Sequence, residues 1–294
     1  MLTLTPEQRV KREKTELVLT KILNIPPIPN IMTEVIKLID SKKATSFELN
    51  KIISKDQGLV TKILTIANSP LYGLQRKVTT LDFAILILGY SELRNIVSTL
   101  AMIESFKNKT DRYLDQKEFW LHSYLTGSAA KRLAEDLGLA NSGEAFIAGF
   151  LHDVGISVLH RYFHTNFITI CETVEKEGKP YHQVELDLLG MTHAEIGHIL
   201  LEKWNFPHEL CDAILSHEDP STGKYTPFLP SIVHLADFMT KHLHIGYFEW
   251  DKDLQFEEEA MKTLRFPNME KVEEFINGYQ NLFITQTETV RFLN

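Results

Sequence analysis

The residues in this chain best suited to chemistry are histidines and acids set singly into apolar runs. All 12 histidines lie between His122 and His244, so imidazole chemistry belongs to the second part of the chain. Residues 145–151 (AFIAGFL) are apolar all round and run straight into His152-Asp153. A carboxylate buried there is costly unless it is paired, and a neighbouring imidazole with a metal cation would pair it. Thr192-His-Ala-Glu195 has capping-box spacing, which puts His193 in the first turn of a helix. In the next helix Leu210, Ala213 and Ile214 stand at i, i+3 and i+4, and His217 at i+7 shares their buried face. Asp219-Pro220 is expected to stop that helix. Asp237 interrupts the apolar run 232–239 beside Val233 and Ala236. Phe119-Trp-Leu-His122 opens a further helix, whose small residues Ser123, Thr126, Gly127, Ser128 and Ala129 allow close packing around His122.

A single histidine on an apolar face is most often a hydrogen-bonded core residue. An acid in a helical core is rarer, so Asp153 and Asp237 carry more weight. Five helices each aiming one or two nitrogen or oxygen atoms inward make a set: His122, His152, Asp153, His193, His217 and Asp237. Cys171 and Cys211 are the only cysteines, which excludes a disulfide framework and argues against a thiolate zinc site. Imidazole and carboxylate donors without thiolate suit one or two divalent ions of Fe, Mn, Co, Ni, Zn or Mg. Asp153 is the natural bridge between two ions and the candidate catalytic residue. The chemistry of such a centre is activation of a water for in-line attack on phosphorus.

These groups have to be positioned by helices. There is no sustained period-2 alternation and no Asn-Gly or Asp-Gly hairpin signal, whereas helical spacing recurs. Val35, Leu38 and Ile39 form one stripe, and Ile63, Leu64 and Ala67 another. Pro26, Pro27 and Pro29 stiffen the entry to the first, and Asn68-Ser-Pro-Leu-Tyr-Gly73 ends the second. Asn141-Ser-Gly-Glu144 reads as the capped start of the helix that leads to His152. The expected fold is all-α with two helical lobes. The polar stretch 107–117 (KNKTDRYLDQK) reads as the linker between them. It divides the chain into an extension (1–17), an N-terminal helical lobe (18–114) and a metal-binding helical lobe with C-terminal helices (115–294).

With 294 residues, 44% hydrophobic and 24% charged, the chain is neither disordered nor of low complexity. A net charge of −8 argues against a general nucleic-acid binder, although Gln75-Arg76-Lys77 follows a helix–turn–helix-like stretch. The basic N-terminus is not followed by an apolar signal core, and the longest apolar stretch, near residues 83–88, is far short of a membrane span. The expectation is a cytoplasmic protein without a membrane partner. Lys11-Arg-Glu-Lys14 reads as a solvated helix face, Glu257-Glu-Glu259 as an acidic helix start, and Tyr247, Phe248 and Trp250 as core packing rather than a shield over the site.

Several strings carry a resemblance. The first part holds Ile25-Pro-Pro-Ile-Pro29, Ile53-Ser-Lys-Asp56, Ala67-Asn-Ser-Pro-Leu-Tyr-Gly73 and Ala84-Ile-Leu-Ile-Leu-Gly89. The second holds Gly149-Phe-Leu-His-Asp-Val-Gly155, Leu189-Gly-Met-Thr-His-Ala-Glu-Ile-Gly197, Leu201-Glu-Lys-Trp-Asn-Phe-Pro207, His217-Glu218 and His234-Leu-Ala-Asp237. In order and spacing they resemble the HDOD family, a bacterial-type signalling branch of the HD metal-dependent phosphohydrolase superfamily, over roughly residues 18–245. Asp56-Gln57 stands where family members usually have Asp-Pro.

The resemblance implies that His122, His152, Asp153 and Asp237 match a mononuclear HD site. His193 and His217 match the additional ligands of the two-metal HD-GYP cyclic-di-GMP phosphodiesterases. Ile156 stands where active HD-GYP enzymes keep a lysine, Ser216 replaces the first His of His-His-Glu, and residues 223–227 only echo the Gly-Tyr-Pro loop. Two functions remain open. One is a metal-dependent phosphohydrolase or phosphodiesterase acting on a nucleotide-like phosphoester. The other is a non-catalytic regulatory module that keeps a structural or vestigial metal site and meets a signalling protein partner, sought first on residues 18–106.

Overall fold

The computed structural model describes residues 4–21, 29–72, 74, 76–105, 109–139, 142–204, 206–246 and 248–290. Pro26, Pro27, Gly73, Gln75, Asn141, Asn205, Tyr247 and the start of the polar stretch at 107–108 lie outside the described residues. The protein is all-α, as expected, with no strand among the described residues. In chain order the helices are α1 (Pro6–Lys21), α2 (Asn30–Asp40), α3 (Ser46–Ile53), α4 (Gln57–Ala67), α5 (Leu81–Ser105), α6 (Gln116–Asp136), α7 (Ser142–Leu151) and α8 (Val154–Tyr162). There follow α9 (His164–Glu177), α10 (Tyr181–Leu189), α11 (His193–Lys203), α12 (His208–Leu215), α13 (Phe228–His242), α14 (Glu258–Thr263), α15 (Met269–Asn277) and α16 (Gln280–Val290). Short 3₁₀ turns occur at Pro70–Tyr72, Pro220–Thr222 and Glu249–Asp251.

The chain forms two compact units, residues 1–24 with 108–278, and residues 25–107 with 279–294. The sequence reading drew three consecutive segments; here each unit also takes a helix from the far end of the chain. In the first unit α1 packs on α10. Arg12 reaches the Glu195 carboxylate at 2.7 Å, Thr15 donates to Leu189 O at 2.8 Å, and Lys11 donates to Asp187 O at 2.6 Å. The run 11–14 is therefore no plain solvated face: two of its cations tie the helix down. In the second unit α16 packs on α4 and on the Pro70–Tyr72 turn.

The first unit is built around α6, which packs on α7 and α13. The small residues expected around His122 are buried, and two glycines set the α6–α7 spacing. A Cβ on Gly127 would lie 2.8 Å from Phe146 O, and one on Gly149 would lie 2.9 Å from Thr126 O. Only bare backbones approach so closely, and this brings His122 next to the end of α7.

In the second unit α2, α3 and α4 all pack on α5. Val35 is fully buried while Leu38 and Ile39 are half-buried, and α4 buries Ile63, Ile66 and Ala67 with Leu64 half-buried. Asp56 is the N-cap of α4 and accepts from the Leu59 amide at 3.0 Å. Gln57 thus occupies the first helical position, where proline is equally at home, so Asp-Pro and Asp-Gln serve one geometry. The Asn68 side chain accepts from Val78 N and donates to Val78 O and Leu64 O, all at 2.7 Å. That staple explains an asparagine in the 67–73 string. Among the described residues α5 is the one helix with the length and apolar composition of a membrane span, and half of the qualifying window is buried. Gly89 breaks it at φ 72° and ψ 170°, so neither part reaches the roughly 20 residues a span needs.

Candidate metal centre

The six residues singled out in the sequence come from separate elements of the first unit. His122 projects from the middle of α6, and Asp237 from the middle of α13. His152 and Asp153 fall in the break between α7 and α8, with Asp153 as the N-cap of α8. His193 is the first residue of α11, where Thr192 and Glu195 form the expected capping box. α12 stops at Leu215, short of the expected Asp219-Pro220, so His217 lies on the turn beyond the helix. It still faces inward, because its Nδ1–H donates to Ile214 O at 2.7 Å.

All six side chains are buried and they converge. Asp153 Oδ2 lies 3.5 Å from His122 Nε2 and 3.3 Å from His152 Nε2. Its other oxygen, Oδ1, lies 3.4 Å from His193 Nε2 and 3.7 Å from His217 Nε2. Asp237 Oδ1 is 3.6 Å from both His122 and His152. Asp153 thus stands between two groups of potential ligands, one on each oxygen.

The imidazoles are held with Nε2 inward. His152 Nδ1 lies 2.7 Å from Gly149 O, and a carbonyl can only accept, so Nδ1 carries a proton and Nε2 is the nitrogen turned toward Asp153. His217 is fixed in the same way. His193 Nδ1 faces both Glu185 oxygens at 3.1 Å. In metal sites, outer partners of this kind orient the ligating imidazoles.

The charges in the pocket act strongly on one another. Burial alone would raise the Asp153 carboxyl, but the facing imidazoles, His152 first, hold it well below the usual range. Burial would lower His152, yet Asp153 and Asp237 hold it well above the usual range. His193, lowered by burial but raised more strongly by Glu185 and Glu218, is pushed up to about 10. His217 is pushed down to about 4 by burial and by His152. Asp153 Oδ1 and Asp237 Oδ1 are buried without a hydrogen-bond donor. Orphaned buried oxygens facing imidazole Nε2 atoms fit a divalent cation in the pocket, and the nitrogen–oxygen donor set suits a first-row ion.

Glu185 and Asp251 were not foreseen from the sequence, and Trp250 was assigned there to core packing. Glu185, buried in α10, is an acid in an apolar helix, the same signal that drew attention to Asp237. Trp250 donates its indole N–H to Asp153 Oδ2 at 2.6 Å, so this ring shields the site rather than only packing in the core. Phe248 stacks on Trp250 with ring centres 4.3 Å apart. Asp251 is buried 4.0 Å from His122 Nε2 and forms a further potential ligand group with His122 and Asp237. Burial, Asp237 and Asp153 push its carboxyl well above the usual range. His234, by contrast, is structural: its Nδ1–H donates to His217 O at 2.7 Å, and Nε2 accepts from Glu257 N at 3.0 Å. Ile156 is fully buried and puts no charge near the pocket, and Ser216 is buried beside His217. Residues 224 and 225 bond through their amides to Asp212, not to the six.

The HDOD domain profile matches residues 25–220 of the chain. The chain belongs to the HDOD domain family. Its fold is that of an HDOD domain protein of unknown function from Geobacter sulfurreducens, with TM-score 0.77 and 23% identity, covering 96% of this chain and 99% of that one. A Shewanella amazonensis SB2B protein provisionally described as a phosphohydrolase has TM-score 0.70 and 22% identity, covering 93% and 98%. A second one from the same organism, provisionally described as a metal-dependent phosphohydrolase, has TM-score 0.64 and 16% identity, covering 98% and 98%. Among curated relatives, an uncharacterized protein of Treponema pallidum (strain Nichols) is 25% identical over 215 residues, 72% of this HDOD chain. The chain spans 41% of that relative's length.

Proposed function

We propose that this HDOD protein is a metal-dependent phosphohydrolase or phosphodiesterase acting on a nucleotide-like phosphoester. The observation that supports this is Asp153, buried, with a pair of imidazoles on each oxygen. That is the arrangement a bridging carboxylate needs. His122, His152, Asp153 and Asp237 would hold one ion, and Asp153, His193 and His217 a second. Divalent ions there would supply Lewis acidity toward a phosphoryl oxygen and activation of a water. The chain's own part is to hold the site. Gly149 O, Ile214 O and Glu185 keep three Nε2 atoms inward, and burial keeps bulk water out. Glu218, one-third exposed and 4.0 Å from His193 Nε2, is the carboxylate on the solvent side, placed to accept a proton at Oε1. With Ile156 in place of a lysine no cation faces the phosphate from α8, so turnover is slow or the substrate range narrow.

One observation favours the regulatory reading. The 248–251 turn places an indole donor on Asp153 and a carboxylate near His122, which closes that half of the pocket. The second unit also exposes Phe47, Phe83, Leu86, Ile87 and Tyr90 on α3 and the first half of α5, an apolar face suited to a signalling protein partner. A panel of nucleoside monophosphates, cyclic mononucleotides, cyclic dinucleotides and a nitrophenyl phosphodiester, assayed with Mn²⁺- or Fe²⁺-loaded protein, decides between them. Turnover lost in Asp153→Asn supports the enzyme. No turnover with metal shown bound supports the regulatory module.

A further inference from the structure

A second cluster of ligand-type side chains lies in the same unit, outside the buried centre. Asp111 precedes α6, His160 lies in the last turn of α8, and His164 opens α9. Their ligand atoms all lie within 4.8 Å of one another. Asp111 Oδ2 is 2.8 Å from His160 Nε2 and 3.8 Å from His164 Nε2. Two ligands about 2.1 Å from one tetrahedral ion are about 3.4 Å apart, so the spacing needs little adjustment.

Each group is already held for the task. Asp111 Oδ1 accepts from the amides of Tyr113 at 2.8 Å and Leu114 at 3.0 Å, which leaves Oδ2 turned toward the histidines. His164 Nδ1 lies 3.1 Å from His160 O, and since a carbonyl only accepts, Nδ1 carries the proton. In the neutral ring the Nε2 lone pair then faces a carboxylate oxygen. Two lone pairs opposed in this way repel unless a proton or a cation lies between them. His160 is fixed in turn, with its ring edge-on to Phe167 at 5.2 Å. The His164 side chain is 54% exposed and that of Asp111 24%, which leaves positions open to water.

We propose that Asp111, His160 and His164 form a separate, solvent-open site for a divalent first-row ion of the zinc type. Two imidazoles with one carboxylate select such ions over Mg²⁺ or Ca²⁺. A bound ion fastens the stretch leading into α6 to the α8–α9 turn. Asp153 and His160 are seven residues apart along α8, about 10 Å, so the outer ion is distinct from those of the buried centre.

The test uses the full chain and Co²⁺, with Zn²⁺ as competitor. The Asp153→Asn protein, with its buried centre impaired, should bind one equivalent of Co²⁺ with visible d–d absorption. Adding His164→Ala should weaken that equivalent more than about 100-fold. Asp111→Asn should do the same, and neither change alters the helical circular dichroism. Should Asp153→Asn fail to fold, the comparison is made in the wild-type background, where His164→Ala removes one equivalent of the total. Cobalt uptake indifferent to His164→Ala overturns the proposal, as does a His164 ring whose NMR signals ignore Zn²⁺ and only titrate with pH. The proposal does not depend on the buried centre. If that centre holds no metal, the wild-type protein takes up a single equivalent, insensitive to Asp153→Asn and lost in His164→Ala.

Discussion

Gly155, two residues after Asp153, offers the sharpest test of how the buried centre is held. α8 and α11 pack on each other there. A Cβ added at Gly155 would lie 1.9 Å from His193 O, 2.7 Å from His193 C and 3.1 Å from Gly197 N. All three are backbone atoms in α11, so no flexible side chain can swing away. Gly155→Ala must therefore part the helices by at least about 1 Å. His193 is the first residue of α11, and its Nε2 lies 3.4 Å from Asp153 Oδ1. The same displacement carries it away from Asp153. Metal–ligand distances tolerate about 0.2 Å, so a proposed ion on Asp153, His193 and His217 would be lost. The Cβ at Gly155 would meet atoms of α11 alone, so a proposed ion on His122, His152 and Asp237 would remain.

Overpacking against backbone belongs at the upper end of the usual range, about 3 kcal/mol. For a domain of this size that lowers Tm by about 6–12 °C. Metal content of purified protein, together with the Tm gained on adding Mn²⁺, measures both effects. One ion fewer than in the wild type, and a smaller Mn²⁺-induced gain, are expected. A variant with wild-type metal content and wild-type Tm would refute the claim that close α8–α11 packing sets the second half of the site.

Asp153→Asn keeps the shape of the side chain but removes the charge shared by the two groups, so it should abolish metal-dependent hydrolysis in the phosphoester panel while the far-UV circular dichroism stays helical. Trp250→Phe leaves Asp153 Oδ2 without its 2.6 Å donor, which costs about 1–3 kcal/mol in metal-free protein. With metal bound that oxygen gains another partner, so the Tm difference from wild type should shrink on Mn²⁺ loading; an equal deficit in both states would mean that Trp250 acts by packing alone. Burial pushes the Cys171 thiol up to about 12 and the Cys211 thiol to about 11. Raised values mean less thiolate, so at pH 8 iodoacetamide should modify Cys171 roughly 10³-fold and Cys211 roughly 10²-fold more slowly than a free thiol, with rates rising toward high pH; rapid labelling of folded protein at pH 8 would contradict this.

What could be read in the sequence follows from where a residue sits relative to helical periodicity. His122, His193 and Asp237 lie on helices, and spacing from apolar neighbours sets which way they face. Local capping was legible for the same reason, since Thr192 and Glu195 act within one turn. His217 shows the limit. Its inward direction was foreseen, but α12 ends two residues before it, and a turn hydrogen bond to Ile214 O orients it. Long-range choices left no periodic trace. Arg12 and Lys11 look like surface charges until α10 and α11 lie beside them, and α16 gives no local sign that it packs on α4.

The same distinction accounts for what was missed in the site. Glu185 was within reach, because a charged residue between Val184 and Leu186 on a buried helix calls for a partner, and His193 is that partner. Trp250 and Asp251 were not, because they sit on a 3₁₀ turn, where no period says which side chain faces inward. Their place follows from Asp153. An acid with two orphan-prone oxygens in an apolar pocket draws in whatever donors the surrounding chain can bring. Oδ2 receives the indole N–H while also facing His122 and His152, and Oδ1 faces His193 and His217 without a donor. The two halves of the pocket are consequently unequal. The turn at 248–251 covers the His122–His152 side, and the half-buried Glu218 leaves the His193–His217 side the more open to solvent.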